Sequence, residues 1–374
     1  MPPTKKTFKF VEQGGYGCVF RPEIVCGTNK LGNMKFISKI YRNSDNADSD
    51  IRKELYISSI IRKIPNYNSF FVPIMKTCDV NIQEYKRNPM YSGETDKCKF
   101  FFDNEDDAQP NNKNEYVSAK MRFISSTLEK QLTFLLNNTI DKQFVRKMAQ
   151  TFQHLKLGLQ KCIKAGFIHY DIKQDNLLYD ELIHSPVIID YGITFLVSKL
   201  EDAIHNVEIS SLQDIFYTKK FYMYWCIDIY IISQFLHHDY NDSIMTVRNE
   251  YLLDEQRVLT KEFLDEKIDN YLNEMAIQSR MPNLSPSLTE DMRKSYSAFY
   301  SQFVGKSWFN ILKACLKQKW YTSWDYYALC LTYLDLYDNM SSSRQYLKTN
   351  KQMQNMVGKW ETVLKSTPLA RMTV

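Results

Sequence analysis

Hydrophobic and polar positions change their period twice along the chain. From Thr7 to about Tyr41 the apolar residues come in short runs around a glycine cluster, FKFVEQ, GGYG and CVF, followed by MKFISKIY. This period of two predicts a hairpin and a third strand, with Phe36, Ser38 and Ile40 on one face and Ile37 and Lys39 on the other. Asp48 and Ser49 are N-cap candidates for a helix on which Ile51, Leu55, Ser58 and Ile61 fall at helical spacing until Pro65 stops the run. Phe70 to Met75 and Asp79 to Tyr85 read as extended. Residues 86–115 mix Asn, Asp, Pro and Gly around the acidic run DNEDD, which predicts a mobile surface insertion. Tyr116 to Ile124 alternates again, with Val117, Ala119, Met121 and Phe123 on one face. Then the texture becomes helical. Phe144, Met148, Phe152, Leu155, Leu159 and Cys162 step by three or four residues along an amphipathic helix closed by Gly166. Two short apolar runs follow, Leu177 to Tyr179 and Pro186 to Asp190, and from about Ser210 the chain reads as helices with loops. A β-rich first third before a mainly helical remainder places the chain in the α+β class.

Composition narrows this little. At 374 residues, 44% hydrophobic and 24% charged, the chain can bury a sizeable core, and its length suggests two structural units or one large bilobal domain. Its formal charge of +5, from 48 Lys+Arg against 43 Asp+Glu, is too small a surplus to mark a nucleic-acid coat, so no nucleic-acid partner is expected. The cysteines at 18, 26, 78, 98, 162, 226, 315 and 330 are scattered, with no C-x-x-C and no clustered His. That spacing signals neither a zinc module nor a disulfide framework, and reduced thiols in a cytosol-like compartment are expected. The start, MPPTKKTFKF, has no apolar stretch behind its basic residues, so no secretory signal is expected. The most apolar later run, Phe221 to Leu236, is interrupted by Asp228 and is shorter than the ~20 residues of a membrane span. Membrane insertion is therefore not expected.

Four features carry candidate chemistry. In Gln13-Gly14-Gly15-Tyr16-Gly17-Cys18-Val19, missing side chains would let backbone N–H groups approach phosphates, although glycine in a hairpin turn is ordinary turn chemistry too. Lys39 falls within an apolar strand, where its ammonium either snorkels to solvent or meets a carboxylate and phosphates. Glu54 on the following helix is a candidate partner. In His169-Tyr170-Asp171-Ile172-Lys173-Gln174-Asp175-Asn176 a carboxylate, a cation two residues on and an amide five residues on suit phosphoryl transfer: Asp171 to orient or deprotonate a hydroxyl, Lys173 to neutralise charge and Asn176 to ligate Mg²⁺. Asp190-Tyr191-Gly192 ends an apolar strand, where the carboxylate could serve as a second metal ligand.

Taken in order, these residues resemble the eukaryotic-type Ser/Thr protein kinases, and most closely the divergent kinases of nucleocytoplasmic large DNA viruses. GGYGCVFRP is similar to their glycine loop, with Gly14 and Gly17 at its second and third glycines and Val19 at its valine. Phe36-Ile37-Ser38-Lys39 matches V-A-I-K, His169 to Asn176 matches H-R-D-L-K-x-x-N, and Asp190 to Gly192 matches D-F-G. Asp228, in WCIDIYIIS, looks like the aspartate that opens the central helix of the large lobe. The resemblance covers about residues 8–236. It implies a bilobal kinase-like fold: a β-rich ATP-binding small lobe over residues 1–123, carrying the insertion at 86–115, and a mainly helical large lobe over residues 124–374. The active site would lie in the cleft between them.

The resemblance also implies roles for individual residues. Gly14, Gly15, Tyr16, Gly17 and Val19 would form the nucleotide loop. Lys39, tied by Glu54, would hold ATP phosphates, Asn176 and Asp190 would hold Mg²⁺, and Asp171 and Lys173 would act on the Ser or Thr hydroxyl of a protein substrate. The implied locations are host cytoplasm and virion, and the oligomeric state is left open. Glu12 stands where the family has its first loop glycine. Tyr170 stands where many members have an arginine that binds a phosphorylated segment, so the stretch from Asp190 to about Asp228 is expected to be held by packing. Two other classes share parts of this pattern, a pseudokinase or virion scaffold protein and a small-molecule phosphotransferase.

Overall fold

The computed structural model describes residues 7–14, 17–26, 30–42, 50–89, 91–99, 116–218, 220–237, 258–278 and 285–371. It has a mixed α+β architecture with several sheets and many helices. The chain divides into two compact units, residues 1–126 with 178–192, and residues 127–177 with 193–374.

The first unit is built on five antiparallel strands in the order β1-β2-β3-β5-β4. They are β1 Lys9–Gly14, β2 Gly17–Arg21, β3 Phe36–Arg42, β4 Lys76–Val80 and β5 Tyr116–Arg122, with helix α1, Asp50–Ile61, between β3 and β4. Side chains alternate across a strand, so one sheet feeds two cores. Ile40 joins Phe8, Phe20, Val80 and Tyr116, whereas its neighbour Tyr41 joins Ile51, Ile74, Val117 and Ala119. Ile51, Ser58 and Ile61 of α1 are buried, as their helical spacing predicts. Asp48 and Ser49, the N-cap candidates, lie outside the described residues.

Three expectations are corrected here. The stretch from Asp79 to Tyr85 is extended only to Val80 and then turns into helix α2, Ile82–Arg87. The Asn81 side chain caps α2 by accepting the Gln83 N–H at 3.1 Å, with Glu84 in the first turn and Lys86 and Arg87 in the last, charges that suit the helix dipole. The predicted mobile insertion is structured through Lys99: a second short helix, α3 Ser92–Thr95, follows, and Tyr85, Tyr91 and Cys98 are buried in the same core as Ile40. This segment closes one face of the sheet; residues 100–115 lie outside the described residues. The third correction concerns the thiols. Cys18 on β2 is disulfide-bonded to Cys98, and Cys26 to Cys78 on β4. The partners are 80 and 52 residues apart, so it is the tertiary fold that brings them together. Cys162, Cys226, Cys315 and Cys330 are free and buried.

The remaining short strands are β6 Ser126–Thr127, β7 Phe167–Ile168, β8 Leu177–Asp180, β9 Ser185–Ile188 and β10 Phe195–Leu196. β9 returns to the first unit: the Val72 N–H donates to the Ile188 carbonyl at 3.1 Å, and the Ile188 N–H to Phe70 at 2.8 Å. The carboxylate of Asp180, at the end of β8, is paired with Arg122.

The second unit is mainly helical: α4 Leu128–Asn138, α5 Asp141–Lys164, α6 Val197–His205, α7 Ile209–Ile215, α8 Ile227–Leu236, α9 Lys261–Gln278, α10 Pro286–Tyr300 and α11 Phe309–Lys317. α12 Trp324–Ser341, α13 Gln345–Thr349, α14 Lys351–Lys365 and α15 Pro368–Arg371 complete it. On α5 all six predicted stripe residues, Phe144 through Cys162, are buried, and Gly166 ends the helix at φ +85°. α12 is buried on nearly all sides, including Asp325, Asp335 and Asp338. Among the described residues no helix is long and apolar enough to cross a membrane.

Candidate functional site

The first cluster belongs to the sheet unit. Lys39 lies on β3 between Val19 of β2 and Ala119 of β5, and is 7% exposed. Its ammonium does not snorkel out. Nζ lies 3.6 Å from Glu54 Oε2 on α1 and 3.3 Å from Asp190 Oδ1. Burial alone would lower the Lys39 pKa, but the two carboxylates outweigh it and hold the group above its ordinary value. Glu54 is 1% exposed, and burial raises its pKa against the opposing pull of Lys39. The Tyr41 hydroxyl donates to Glu54 Oε2 at 2.6 Å and fixes that carboxylate. Asp190 sits at φ +63°, a left-handed backbone uncommon for a non-glycine residue and frequent at functional sites. The buried ring of Tyr191 anchors the turn, its hydroxyl donating to the Ile188 carbonyl at 2.8 Å.

The glycine stretch has a packing reason as well as a chemical one. Gly14 pairs with Gly17 at the end of the β1–β2 ladder, and a Cβ on Gly17 would run into the Ile40 carbonyl oxygen. Val19 is partly buried on β2; Gly15 and Tyr16 lie outside the described residues.

The second cluster belongs to the helical unit. Asp171 Oδ2 is reached by Lys173 Nζ at 3.0 Å and by Asn176 Nδ2 at 2.8 Å; Nδ2 also meets the Asp171 carbonyl at 2.8 Å. Asn176 thus spends its NH₂ on Asp171, which leaves its amide oxygen as the atom suited to a cation. The loop backbone is held from a distance. Asp325, in the first turn of α12, accepts the N–H groups of His169 and Tyr170, both at 2.8 Å. Burial raises the Asp325 pKa, and His169 and those two N–H groups pull it back. Thr194 Oγ1 donates to the His169 carbonyl at 3.1 Å, and Trp225 Nε1 to the Tyr170 carbonyl at 3.0 Å. Tyr170 is buried at φ +70°, with its ring against Phe195, Trp225 and Trp324. Tyr170 serves here as a packed aromatic.

Asp228 has the place that its sequence context suggests. It opens α8, but the carboxylate that holds the His169–Tyr170 backbone is Asp325. Asp228 instead pairs with Arg371, 2.6 Å from Nη2 at Oδ1, and accepts from Tyr300 Oη at 2.8 Å and Trp324 Nε1 at 3.3 Å. WCIDIY and SWDYYAL both place an aspartate at the head of an apolar helix. Only the fold decides which one meets the loop.

The structure therefore groups Lys39 with Glu54 and Asp190, and Asp171 with Lys173 and Asn176. Sequence reasoning missed Asp325, Arg371 and Tyr222, whose hydroxyl donates to Asp171 Oδ1 at 2.5 Å. Among the described residues no group of three or more His, Cys, Asp or Glu side chains is arranged to hold a metal ion. No protein-family model matches the chain, and no curated protein matches it.

Proposed function

We propose that the chain is a protein kinase that transfers the γ-phosphoryl group of Mg²⁺-ATP to Ser or Thr hydroxyls of proteins. The observation that carries this reading is the state of Lys39, a sheet-interior ammonium kept charged between Glu54 and Asp190, which belong to segments far apart in the sequence. A structural lysine has no need of two carboxylates, whereas one that must grip phosphates has to stay protonated and in place. In this reading Lys39 holds the ATP phosphates, and Asp190 and Asn176 ligate the Mg²⁺ that ATP brings. Asp171 orients the acceptor hydroxyl, with Lys173 beside it to offset charge on the moving phosphoryl. Lys39, Asp171, Asn176 and Asp190 are all present, which favours an enzyme over a scaffold of the same fold. Incubation with γ-labelled ATP, Mg²⁺ and either casein, a basic protein or small alcohols tests it. Label on protein Ser and Thr, absent with Lys39→Met, is the expected result. Label on small alcohols alone would make it a small-molecule phosphotransferase, and no label at all would make it an interaction protein.

A further inference from the structure

Asp171 uses its two oxygens differently. Oδ2 is taken by Lys173 and Asn176, groups that fix the carboxylate. Oδ1 receives a hydroxyl, that of Tyr222, at 2.5 Å. Tyr222 is 51 residues further along and is held by its own surroundings. Its ring packs edge-on against Tyr224 and Trp225, and Trp225 is pinned by its bond to the Tyr170 carbonyl and by Tyr271 Oη, which donates to the Trp225 carbonyl at 2.9 Å. The scaffold that shapes the catalytic loop thus also aims the phenol. Burial and the adjacent Asp171 push the phenol pKa well above its ordinary value, so Tyr222 stays protonated and donates. Lys173 Nζ lies 5.8 Å from the centre of the Tyr222 ring.

We infer that Tyr222 is an acceptor hydroxyl built into the chain: it occupies the position on Asp171 that an incoming hydroxyl would take, so the chain's own Tyr222 is its first substrate. This rests on the proposed kinase activity. In the transfer a bond forms between Tyr222 Oη and the γ-phosphorus of ATP as the bond from that phosphorus to the β–γ bridging oxygen breaks. ADP leaves with the electron pair of the broken bond, and the phenolic proton passes to Asp171 Oδ1. Asp171 then gives that proton up to water, and the product, a phosphate of nearly two negative charges, is repelled by the carboxylate so restored. It withdraws and frees Oδ1 for the hydroxyl of another protein.

The test uses the full chain, purified without phosphate on it, with Mg²⁺-ATP and casein. Mass spectrometry maps the sites, and a dilution series gives the order of the reaction. Expected are one phosphoryl group per chain at Tyr222, formed at a rate independent of protein concentration and absent in Lys39→Met, with casein labelled only after a lag. Tyr222→Phe should label casein without the lag, at an initial rate about tenfold higher, the worth of one charge-assisted hydrogen bond that a substrate no longer has to displace. Casein labelled while Tyr222 stays unmodified would overturn the inference and leave the kinase reading standing, as would modification of Tyr222 at a rate rising with protein concentration. A wild-type chain that labels neither would overturn both.

Discussion

In the sheet unit, Lys39 stands on a regular strand with its backbone in the ladder, and what fixes its charge is side-chain chemistry: Glu54 from a helix, Asp190 from a turn, and Tyr41 bracing Glu54. In the helical unit Asp171 stands on irregular backbone, and the backbone itself has to be fixed. Asp325 accepts two of its N–H groups, while Trp225 and Thr194 satisfy its carbonyls. The covalent chemistry is divided the same way. The sheet unit holds both disulfides, and the described free thiols lie buried in the helical unit. A small two-sided sheet has limited apolar surface to bury and gains from cross-links. A large helical core can instead bury carboxylates, provided that each is fully paired.

The largest expected effects separate charge from scaffold. On the proposed kinase reading, Asp171→Asn should lower kcat by a factor on the order of 10²–10⁴ with ATP affinity little changed, because the amide keeps the shape of a group proposed to act on the acceptor but not its charge. Lys39→Met should reduce turnover severely and leave the fold intact, since Glu54, whose pKa burial already raises, can take up a proton once its cation is gone. Steady-state kinetics and a melting curve check both. A Lys39→Met chain that unfolds would show the lysine to be part of the sheet's core.

Asp325→Ala should have the opposite profile. It strands two buried N–H groups, each costing about 1–3 kcal/mol, so stability should fall by about 2–6 kcal/mol and activity should fall with it. Denaturant unfolding measures this directly. If Asp325→Ala keeps wild-type stability and loses only turnover, the distinction between a charge-fixed and a backbone-fixed site collapses.

How far the sequence reveals these arrangements follows the same division. The strand alternation through Lys39, the stripe on α5 and the D-x-K-x-x-N spacing are local patterns, readable within a few turns of chain. The Asp325 contact joins residues 155 and 156 apart, and nothing near His169 announces it. Two aspartates head apolar helices, and choosing between Asp228 and Asp325 requires knowing which helix passes beneath the loop. The packing of the 82–99 segment is hidden from local patterns for a related reason. Its residues are polar on average, but the few apolar ones, Tyr85, Tyr91 and Cys98, all face one sheet, and Cys98 finds its partner on β2.

That disulfide sets the next expectation. Replacing Cys18 and Cys98 together with Ser should cost about 2–4 kcal/mol, the usual worth of a disulfide closing a long loop. The loss should appear in the unfolding of the sheet unit, followed by hydrogen exchange at β2 and β3, while amides of α5 and α12 keep their protection. Equal loss of protection in both units would mean that they unfold as one, and that the cross-links stabilise the whole chain.

The smallest effect concerns Glu54 and has a definite sign. Burial raises its folded pKa above that of the unfolded chain, about 4.3 for an ordinary glutamate, so within that window the folded state binds more protons than the unfolded. Stability contributed by Glu54 must therefore rise as pH falls through the folded pKa, not decline as it would for a carboxylate dominated by its ion pair. Lys39, with its pKa raised, contributes fully throughout this acid range and loses its share only in strong alkali. Activity should move the other way, since a neutral Glu54 no longer holds Lys39 by charge. Melting temperatures of wild type and Glu54→Gln, compared from neutral pH down to about the ordinary glutamate pKa, should diverge in favour of wild type as acid is added, while the wild-type rate advantage shrinks. If the stability difference runs the opposite way, attraction to Lys39 outweighs burial at Glu54, and the sheet unit fixes its lysine with an ionised pair at every pH where the chain is folded.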